Sequence, residues 1–475
     1  MAAEQRDVER FDAIMVGSGQ GGNPLAVAMA GHGWKTVMVE RGAVGGTCVN
    51  TGCTPTKTLV ASARVAYLAH RAADFGVIAG DVTVDMAAVM ARKQAIVEKS
   101  RAGNYKRLTE TKNLSLIEGS AEFTGPHELS IRLNAGGTRV LTAERIFIDT
   151  GVRAEIPKIE GIGEVDYLDN ASVMELDAAP EHLIVLGGGY IALEFAQMFR
   201  RFGSRVTVVQ KGNRLAERED EDVSAEIAKI LHEDGVEVLL EAEARRVERA
   251  GAGGVRLTVA TKHGQYGDGE RSVEGSHLLV AVGRVPNTEA LHLEHAGIAV
   301  DERGFLKVNE WLETTVGGVY GIGDVKGGPE FTHISYDDYR VLKANLIDGQ
   351  QRTTQGRPVP YTMFMDPELG RIGMTEAEAR KAGKTIRVAK LLMTSVARAF
   401  ESAETRGFLK AVVDAETDLI LGAACLGVNG GEVATQIQIA MMGGVTASQV
   451  RDGIWSHPTW AEALNTLFAK FQGES

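Results

Sequence analysis

Two glycine-rich turns, about 170 residues apart, constrain the fold of this chain more than any other feature of its sequence. An apolar strand pattern leads into the first turn, where Gly17, Gly19 and Gly22 have the spacing GxGxxG and precede a helical pattern. The strand that follows ends at Glu40. In this setting the glycines let the backbone approach a pyrophosphate at a helix N-terminus, and the acid binds a ribose hydroxyl. The first turn is therefore a predicted dinucleotide site.

The second turn repeats this pattern with one change. Gly187 and Gly189 follow an apolar strand pattern, and Ala192 stands where the third glycine would be. Two fingerprints predict two bound dinucleotides, each on its own strand–helix–strand unit. An α/β fold follows from that alternation of strands and helices.

The end of the next strand informs the choice of nucleotide at the second turn. An acid there would bind the 2′-hydroxyl of NAD, but the position holds Gln210, with Lys211 and Arg214 close behind. A missing acid beside two cations favours the 2′-phosphate of NADP, so we predict NADPH rather than NADH. The alternative is that Lys211 and Arg214 are solvated loop charges.

Between the two turns lies the segment GGTCVNTGCTPTK, which carries Cys48, Cys53 and Lys57. If residues 51–63 are helical, Cys53 and Lys57 share one face, one turn apart. Cys53 then lies in the first turn of the helix, where unpaired N–H groups and the helix dipole lower the pKa of a thiol below its free value of about 8.5. The segment therefore predicts a reactive thiolate rather than two buried structural thiols.

Composition and charge argue against several classes of partner and location. The net charge of -12 argues against nucleic acid as a partner, and the sequence has no apolar run long enough to cross a membrane. The first ten residues are polar, so we expect no secretory signal there. Three cysteines are too few for a disulfide scaffold, so we predict a cytoplasmic protein in which Cys425 is a buried small hydrophobe.

GGTCVNTGC followed by a proline and a lysine resembles the redox-active disulfide of the class I flavin-dependent pyridine nucleotide–disulfide oxidoreductases. The resemblance runs over nearly the whole chain and implies FAD as a cofactor. It implies that Cys53 is the thiolate nearer the flavin and that Cys48 is the thiol that meets the substrate. It also implies that Lys57 stabilises reduced flavin, that Glu194 pairs with this lysine, and that Tyr190 covers the nicotinamide pocket.

The resemblance extends to the segment TTVGGVYGIGD, whose Asp324 would bind the ribityl chain of FAD, and to the Thr150–Gly151 turn where the chain leaves the flavin domain. The implied fold is α/β, with two Rossmann-type dinucleotide-binding domains, one inserted in the other, and a C-terminal α+β dimerisation domain. The predicted domains are residues 1–150 and 281–350 for FAD, 151–280 for NAD(P), and 357–475 for dimerisation. Two further contacts are predicted, Thr47 to FAD and Gly283 to NAD(P).

A catalytic acid is implied near the C-terminus. The segment HPTWAE, with His457 and Glu462, resembles the HPxxxE motif of the disulfide-reducing members. Thiol–disulfide exchange needs a proton donor for the leaving thiolate, and the glutamate would fix the tautomer of the histidine. In the family this pair reaches the site from the other subunit, so the resemblance implies an obligate homodimer with a shared active site.

The electron acceptor is the least constrained part of the prediction. The first hypothesis is a small-molecule disulfide. The second is a metal ion or an oxidised electrophile, because the chain looks most like the mercuric-reductase-like branch, which includes copper reductases. Against ordinary mercury reduction, the chain has no vicinal cysteine pair after Cys425. The third hypothesis is an electron-delivery subunit or a redox sensor inside a complex. The sequence predicts no resident metal site.

Overall fold

A computed structural model describes residues 8–251, 253–262 and 267–471. The chain divides into two compact units. The first comprises the described residues up to Thr58, together with Ala91–Glu155 and Gly283–Arg357, and the second comprises Leu59–Met90, Ile156–Val282 and the described residues from Pro358. These units follow spatial contacts and place residues 59–90 with the second fingerprint, so the domain bounds predicted above stay predictions.

The strands of the described residues are numbered in chain order. They are β1 (Val8–Val16), β2 (Thr36–Glu40), β3 (Leu114–Gly125), β4 (Glu128–Leu133), β5 (Thr138–Ile148), β6 (Val152–Ala154), β7 (His182–Leu186), β8 (Arg205–Val209), β9 (Glu237–Leu239), β10 (Ala242–Ala250), β11 (Gly254–Thr261), β12 (Gly269–Gly275), β13 (His277–Val280), β14 (Arg284–Pro286), β15 (Val319–Gly321), β16 (Tyr361–Met363), β17 (Glu368–Gly373), β18 (Ile386–Leu392), β19 (Phe408–Asp414) and β20 (Ile420–Gly427).

The α-helices follow the same order. They are α1 (Gly22–Gly31), α2 (Gly46–Asn50), α3 (Cys53–His70), α4 (Met86–Glu110), α5 (Tyr190–Arg201), α6 (Glu221–Glu233), α7 (Thr332–Leu346), α8 (Glu376–Lys381), α9 (Ala397–Glu401), α10 (Gly430–Met442), α11 (Ala447–Asp452) and α12 (Ala463–Phe468). None of these helices is long and apolar enough to cross a membrane.

The first unit is built on a sheet in which β1 lies between β2 and β5, parallel to both, and β15 adds to β5. The last four residues of β1, Ala13 to Val16, are all apolar and buried, as expected for a strand segment covered on both faces. Strands β3, β4 and β5 form an antiparallel meander. Because the carboxyl ends of β1, β2, β5 and β15 meet at one edge, the chain brings its predicted FAD residues together there.

The second unit contains a parallel sheet of order β13-β7-β8-β9 and an antiparallel sheet of order β10-β11-β12. Helix α5 packs on the parallel sheet through Phe195 and Phe199, which are fully buried. A five-stranded antiparallel sheet of order β16-β17-β20-β19-β18 follows near the C-terminus, and α10, α11 and α12 belong to the same part of the unit. Cys425 lies buried in β20, as predicted.

Candidate active site

Two helix starts position the cysteines. Gly45 and Gly46 adopt positive φ angles of 106° and 65°, a backbone shape that favours glycine, and they lead into the short helix α2 that carries Cys48. A turn at Thr51–Gly52 separates α2 from α3, so the predicted helix begins at Cys53 rather than at residue 51. Cys53 is the first residue of that helix and Lys57 lies one turn further on.

The two thiols have opposite electrostatic surroundings. The thiol of Cys48 donates a hydrogen bond that stabilises the Cys53 thiolate, and the Thr332 hydroxyl and the Lys57 ammonium add to this, so the pKa of Cys53 falls to about 6 against the opposing effect of burial. The same hydrogen bond, with burial, raises the pKa of Cys48. Oγ1 of Thr332, the first residue of α7, lies 3.2 Å from Sγ of Cys53. The pair therefore consists of one thiol and one thiolate at neutral pH.

The first glycine turn lies against the end of β5. Gly17 has a φ of +97°, and a Cβ atom there would lie 2.3 Å from the carbonyl oxygen of Asp149. Glu40 is fixed beside the turn, because its Oε2 accepts hydrogen bonds from the backbone N (2.9 Å) and Oγ (2.7 Å) of Ser18. A Cβ atom on Gly46 would lie 2.8 Å from Cα of Gly19. The first glycine turn and helix α2, which carries Cys48, are thus in direct contact.

The residues at this edge fit FAD. Among residues 8–251, 253–262 and 267–471, the buried Oγ1 of Thr150 has no hydrogen-bond partner, and the next residue, Gly151, has a φ of +64°. Burial raises the pKa of Asp324, which lies 3.6 Å from the guanidinium of Arg284. A buried hydroxyl with unused hydrogen-bonding capacity, beside a glycine turn at a helix start, is suited to a polar ligand such as a dinucleotide. Thr47, predicted as another contact, lies in α2 with its backbone carbonyl bonded to Thr51.

The second glycine turn has the same construction. Gly187 has a φ of +121°, and a Cβ atom there would lie 2.3 Å from the carbonyl oxygen of Ala281. Gly189 precedes α5, which starts at Tyr190, and Ala192 is fully buried at the third glycine position. Gly283 belongs to the first unit, so its predicted contact with NAD(P) stays a prediction.

Glu194 lies on α5 and is buried, and its Oε1 accepts a hydrogen bond of 2.8 Å from the backbone N of Phe364. This bond holds the carboxylate in one orientation. The pairing of Glu194 with Lys57 stays a prediction.

Gln210, Lys211 and Arg214, on which the prediction of NADP rests, each contact Glu217 or Glu243. Nε2 of Gln210 donates to Oε1 of Glu217 (2.9 Å), and Nη2 of Arg214 donates to the backbone carbonyl of Glu217 (2.8 Å). Nζ of Lys211 lies 2.8 Å from Glu243. The sequence analysis did not single out Glu217, which sits in the loop after β8 and is exposed.

That loop is held at its far end by a buried ammonium. Nζ of Lys410 on β19 lies 3.1 Å from Asp220, 3.0 Å from Asp222 and 2.9 Å from Glu376. Asp220 also accepts hydrogen bonds from the first two backbone N–H groups of α8. The position of the loop that carries Lys211 and Arg214 is therefore fixed by the C-terminal part of the same unit.

The predicted proton donor is present as a hydrogen-bonded pair. Nδ1 of His457 lies 2.9 Å and 2.8 Å from the two carboxylate oxygens of Glu462, and the imidazole is exposed. Because the carboxylate accepts the Nδ1 proton, Nε2 is the nitrogen that can exchange a proton with a substrate.

Comparisons with known proteins agree with this construction. Residues 11–338 match the family model described as pyridine nucleotide-disulphide oxidoreductase, and residues 359–468 match the dimerisation domain of the same family. The chain is 38% identical over 466 residues to the probable pyridine nucleotide-disulfide oxidoreductase RclA of Escherichia coli (strain K12), covering 97% of this chain and 99% of that protein. It is 36% identical over 465 residues to the mercuric reductase of Streptomyces lividans, covering 98% and 97%.

A solved structure shows the same fold. The Cu(II) complex of the HOCl-induced flavoprotein disulfide reductase RclA from Escherichia coli matches with a TM-score of 0.88 at 38% identity, covering 97% of this chain and 99% of that chain. The predicted α/β fold and the family resemblance are both confirmed. The chain belongs to the pyridine nucleotide–disulfide oxidoreductases, and it is an enzyme with FAD and a pyridine nucleotide as cofactors and with a dimerisation domain in its C-terminal part.

Proposed function

We propose that the enzyme reduces a small disulfide with electrons that pass from NADPH through FAD to Cys48 and Cys53. The observation that carries this proposal is the place of Cys53 at the start of α3, 3.2 Å from the Thr332 hydroxyl. The neighbouring Cys48 thiol and this hydroxyl lower the pKa of Cys53. A thiolate beside a second thiol is the arrangement that thiol–disulfide exchange requires. We also propose a cytoplasmic location, because a working dithiol persists in a reducing compartment.

The predicted site residues have distinct roles in this electron transfer. Gly17, Gly19, Gly22, Glu40, Thr47, Thr150, Gly151 and Asp324 would hold FAD, which would supply the electron pair of the pyridine nucleotide to the Cys48–Cys53 disulfide. Nε2 of His457, which the family resemblance implies is supplied by the other subunit, accepts the proton of the Cys48 thiol. The resulting thiolate attacks one sulfur of the substrate. The substrate S–S bond breaks, and the leaving thiolate takes the proton from His457.

The second half of the exchange belongs to Cys53. Its thiolate attacks Sγ of Cys48 in the mixed disulfide, which forms the Cys48–Cys53 bond and releases the second substrate thiolate, protonated by solvent. One disulfide has then gained two electrons and two protons, and the enzyme dithiol has been oxidised. Lys57 is placed one turn after Cys53 to balance the negative charge that accumulates there.

The nucleotide choice can be tested at Glu217. We expect kcat/KM to be higher for NADPH than for NADH, because Gln210 stands where an acid would bind the ribose 2′-hydroxyl of NAD, and the cations Lys211 and Arg214 follow it in the chain. The carboxylate of Glu217 opposes a 2′-phosphate, so Glu217→Gln is expected to raise kcat/KM for NADPH roughly three- to tenfold, within the range for exposed charges, and to leave NADH nearly unchanged. Steady-state kinetics with both nucleotides measures this.

Glu233→Gln is the matched control, since Glu233 is an acid on the same unit that pairs with Lys229 and is remote from Gln210. A tenfold preference of the wild type for NADH would refute the NADPH proposal. An equal gain with both nucleotides would show that Glu217 does not sense the phosphate.

A second candidate is reduction of a metal ion. Relatives of this chain include mercuric reductases and a reductase solved as its Cu(II) complex, and the thiolate of Cys53 beside Cys48 is a suitable ligand for a soft ion. Turnover of glutathione disulfide, lipoamide, Cu(II) and Hg(II) with NADPH separates the candidates. We expect a disulfide to give the highest kcat/KM and His457→Ala to reduce that activity strongly. Metal turnover that survives His457→Ala, with no disulfide turnover in the wild type, would establish the second candidate.

A further inference from the structure

An acidic side chain lies beneath the first glycine turn. Asp149 follows β5, and its Oδ2 accepts a hydrogen bond of 2.7 Å from the backbone N of Gly22, the first residue of α1. A Cβ atom on Gly19 would lie 2.6 Å from the same oxygen. The Asp149 side chain is buried, with 7% of its surface exposed. The carboxyl group thus lies directly against the turn that is suited to a pyrophosphate.

The surroundings of Asp149 disfavour its charged form. Burial raises the pKa of Asp149 well above its usual value, the hydrogen bond from Gly22 opposes this, and the neighbouring acids Asp324, Asp338 and Glu40 raise it further. Two cations close to these acids are already engaged, because Lys326 lies 3.2 Å from Asp338 and Arg284 lies 3.6 Å from Asp324. Both cations therefore neutralise acids other than Asp149.

Two protonation states of Asp149 would act differently on FAD. An ionised carboxylate would use the N–H of Gly22 and place a negative charge beneath the pyrophosphate, which repels it. A neutral carboxyl group has one O–H donor and can still accept from Gly22. We propose that Asp149, in its neutral form, is a cofactor-binding residue that holds the pyrophosphate of FAD. Its carboxyl group accepts a hydrogen bond from the backbone N of Gly22 and donates one through its own proton to a phosphate oxygen.

This inference rests on FAD binding at the first turn and deepens it. Because the neutral form binds FAD and the ionised form does not, the dissociation constant is flat below the pKa of Asp149 in the apoprotein. Above that pKa it rises about tenfold for each pH unit. FAD should therefore bind more weakly at pH values above the pKa of Asp149.

Titration of apoprotein with FAD, followed by flavin fluorescence between about pH 5.5 and 9, tests the proposal. We expect the wild-type dissociation constant to rise about tenfold for each pH unit above the pKa of Asp149. Asp149→Asn has the same shape, a donor and an acceptor, but no titration, so its affinity should be independent of pH and equal to that of the wild type at the acidic end. Asp12→Asn, which removes an exposed acid from β1, should keep the wild-type slope.

A wild-type dissociation constant that falls as the pH rises overturns the proposal, and it does so even if Asp149→Asn fails to fold. A flat profile overturns it if Asp149→Ala, which has no proton to donate, binds FAD as tightly as the wild type. A slope that persists in Asp149→Asn, or weak binding by that variant at every pH, also overturns it. Failure of the apoprotein to bind FAD at any pH is a different result, because it refutes the FAD site itself and with it the proposed function.

Discussion

Replacement of Cys53 by serine is expected to reduce disulfide turnover at least about a thousandfold, because a hydroxyl group cannot form the disulfide that carries the electron pair. Cys48→Ser should have an equal effect, since each variant removes one end of the same S–S bond. Neither change alters the glycine turns, so both variants should bind FAD as the wild type does. NADPH-dependent disulfide reduction and flavin content are the two measurements.

The same variants assign the thiolate. In the reduced wild-type enzyme, the ultraviolet absorbance of the thiolate should titrate with a midpoint near the Cys53 pKa of about 6. This titration should disappear in Cys53→Ser. In Thr332→Val the midpoint should rise, because the hydroxyl 3.2 Å from Sγ is removed. Cys425→Ala is the matched control, because burial raises the pKa of this thiol to about 12. A midpoint near pH 6 that persists in Cys53→Ser would reverse the roles of the two cysteines.

The parts of the site that sequence analysis predicted correctly are those that a short segment determines. A glycine turn between an apolar strand and a helix is encoded within about 25 residues, so the structure has a strand, a glycine turn and a helix at each of the two fingerprints. Helix ends were less well determined. The helix of the cysteine segment was expected from residue 51, but the chain first completes α2 and turns at Gly52, where a Cβ atom would lie 2.9 Å from the carbonyl oxygen of Thr47.

The residues that sequence analysis missed are brought to the site by contacts distant in sequence. Thr332 reaches Cys53 across 279 positions, and Asp149 reaches Gly22 across 127. Periodicity and spacing describe neighbours along the chain and contain no information on such pairs. Asp149 left one local signal, an acid at the end of a strand directly before the Thr150–Gly151 turn. Glu217 is only seven positions from Gln210, but its contact depends on the path of an irregular loop.

Replacement of His457 by alanine is expected to reduce disulfide turnover by about 10²- to 10⁴-fold, the usual contribution of a positioned proton donor. The imidazole is bonded through Nδ1 to Glu462, which leaves Nε2 to protonate the leaving thiolate. Glu462→Gln should have a smaller effect in the same direction, because it keeps a hydrogen bond but removes the charge that stabilises the imidazolium ion. FAD binding should be unchanged in both variants.

Mixed dimers of Cys48→Ser and His457→Ala locate this histidine relative to the sulfur pair. The family resemblance implies that His457 of one subunit serves the cysteines of its partner, and the chain carries the dimerisation domain of the family. In a heterodimer of the two variants, one site would then lack both groups and the other would be complete. We expect about half of the wild-type turnover from the purified heterodimer, whereas each parent homodimer is nearly inactive.

Whether this heterodimer is active depends on which subunits supply the cysteines and the histidine of each site, and not on the strength of any single contact. If each site drew its cysteines and its histidine from one chain, the same heterodimer would contain one site without sulfur and one without imidazole, and it would be as inactive as its parents. A heterodimer of Cys48→Ser with Cys53→Ser controls for nonspecific rescue, since neither subunit has an intact sulfur pair and turnover is absent in both arrangements. Differently tagged subunits, purified in two steps, give each heterodimer free of its parent homodimers. Turnover recovered only in the heterodimer of Cys48→Ser with His457→Ala would show that His457 of one subunit serves the cysteines of the other.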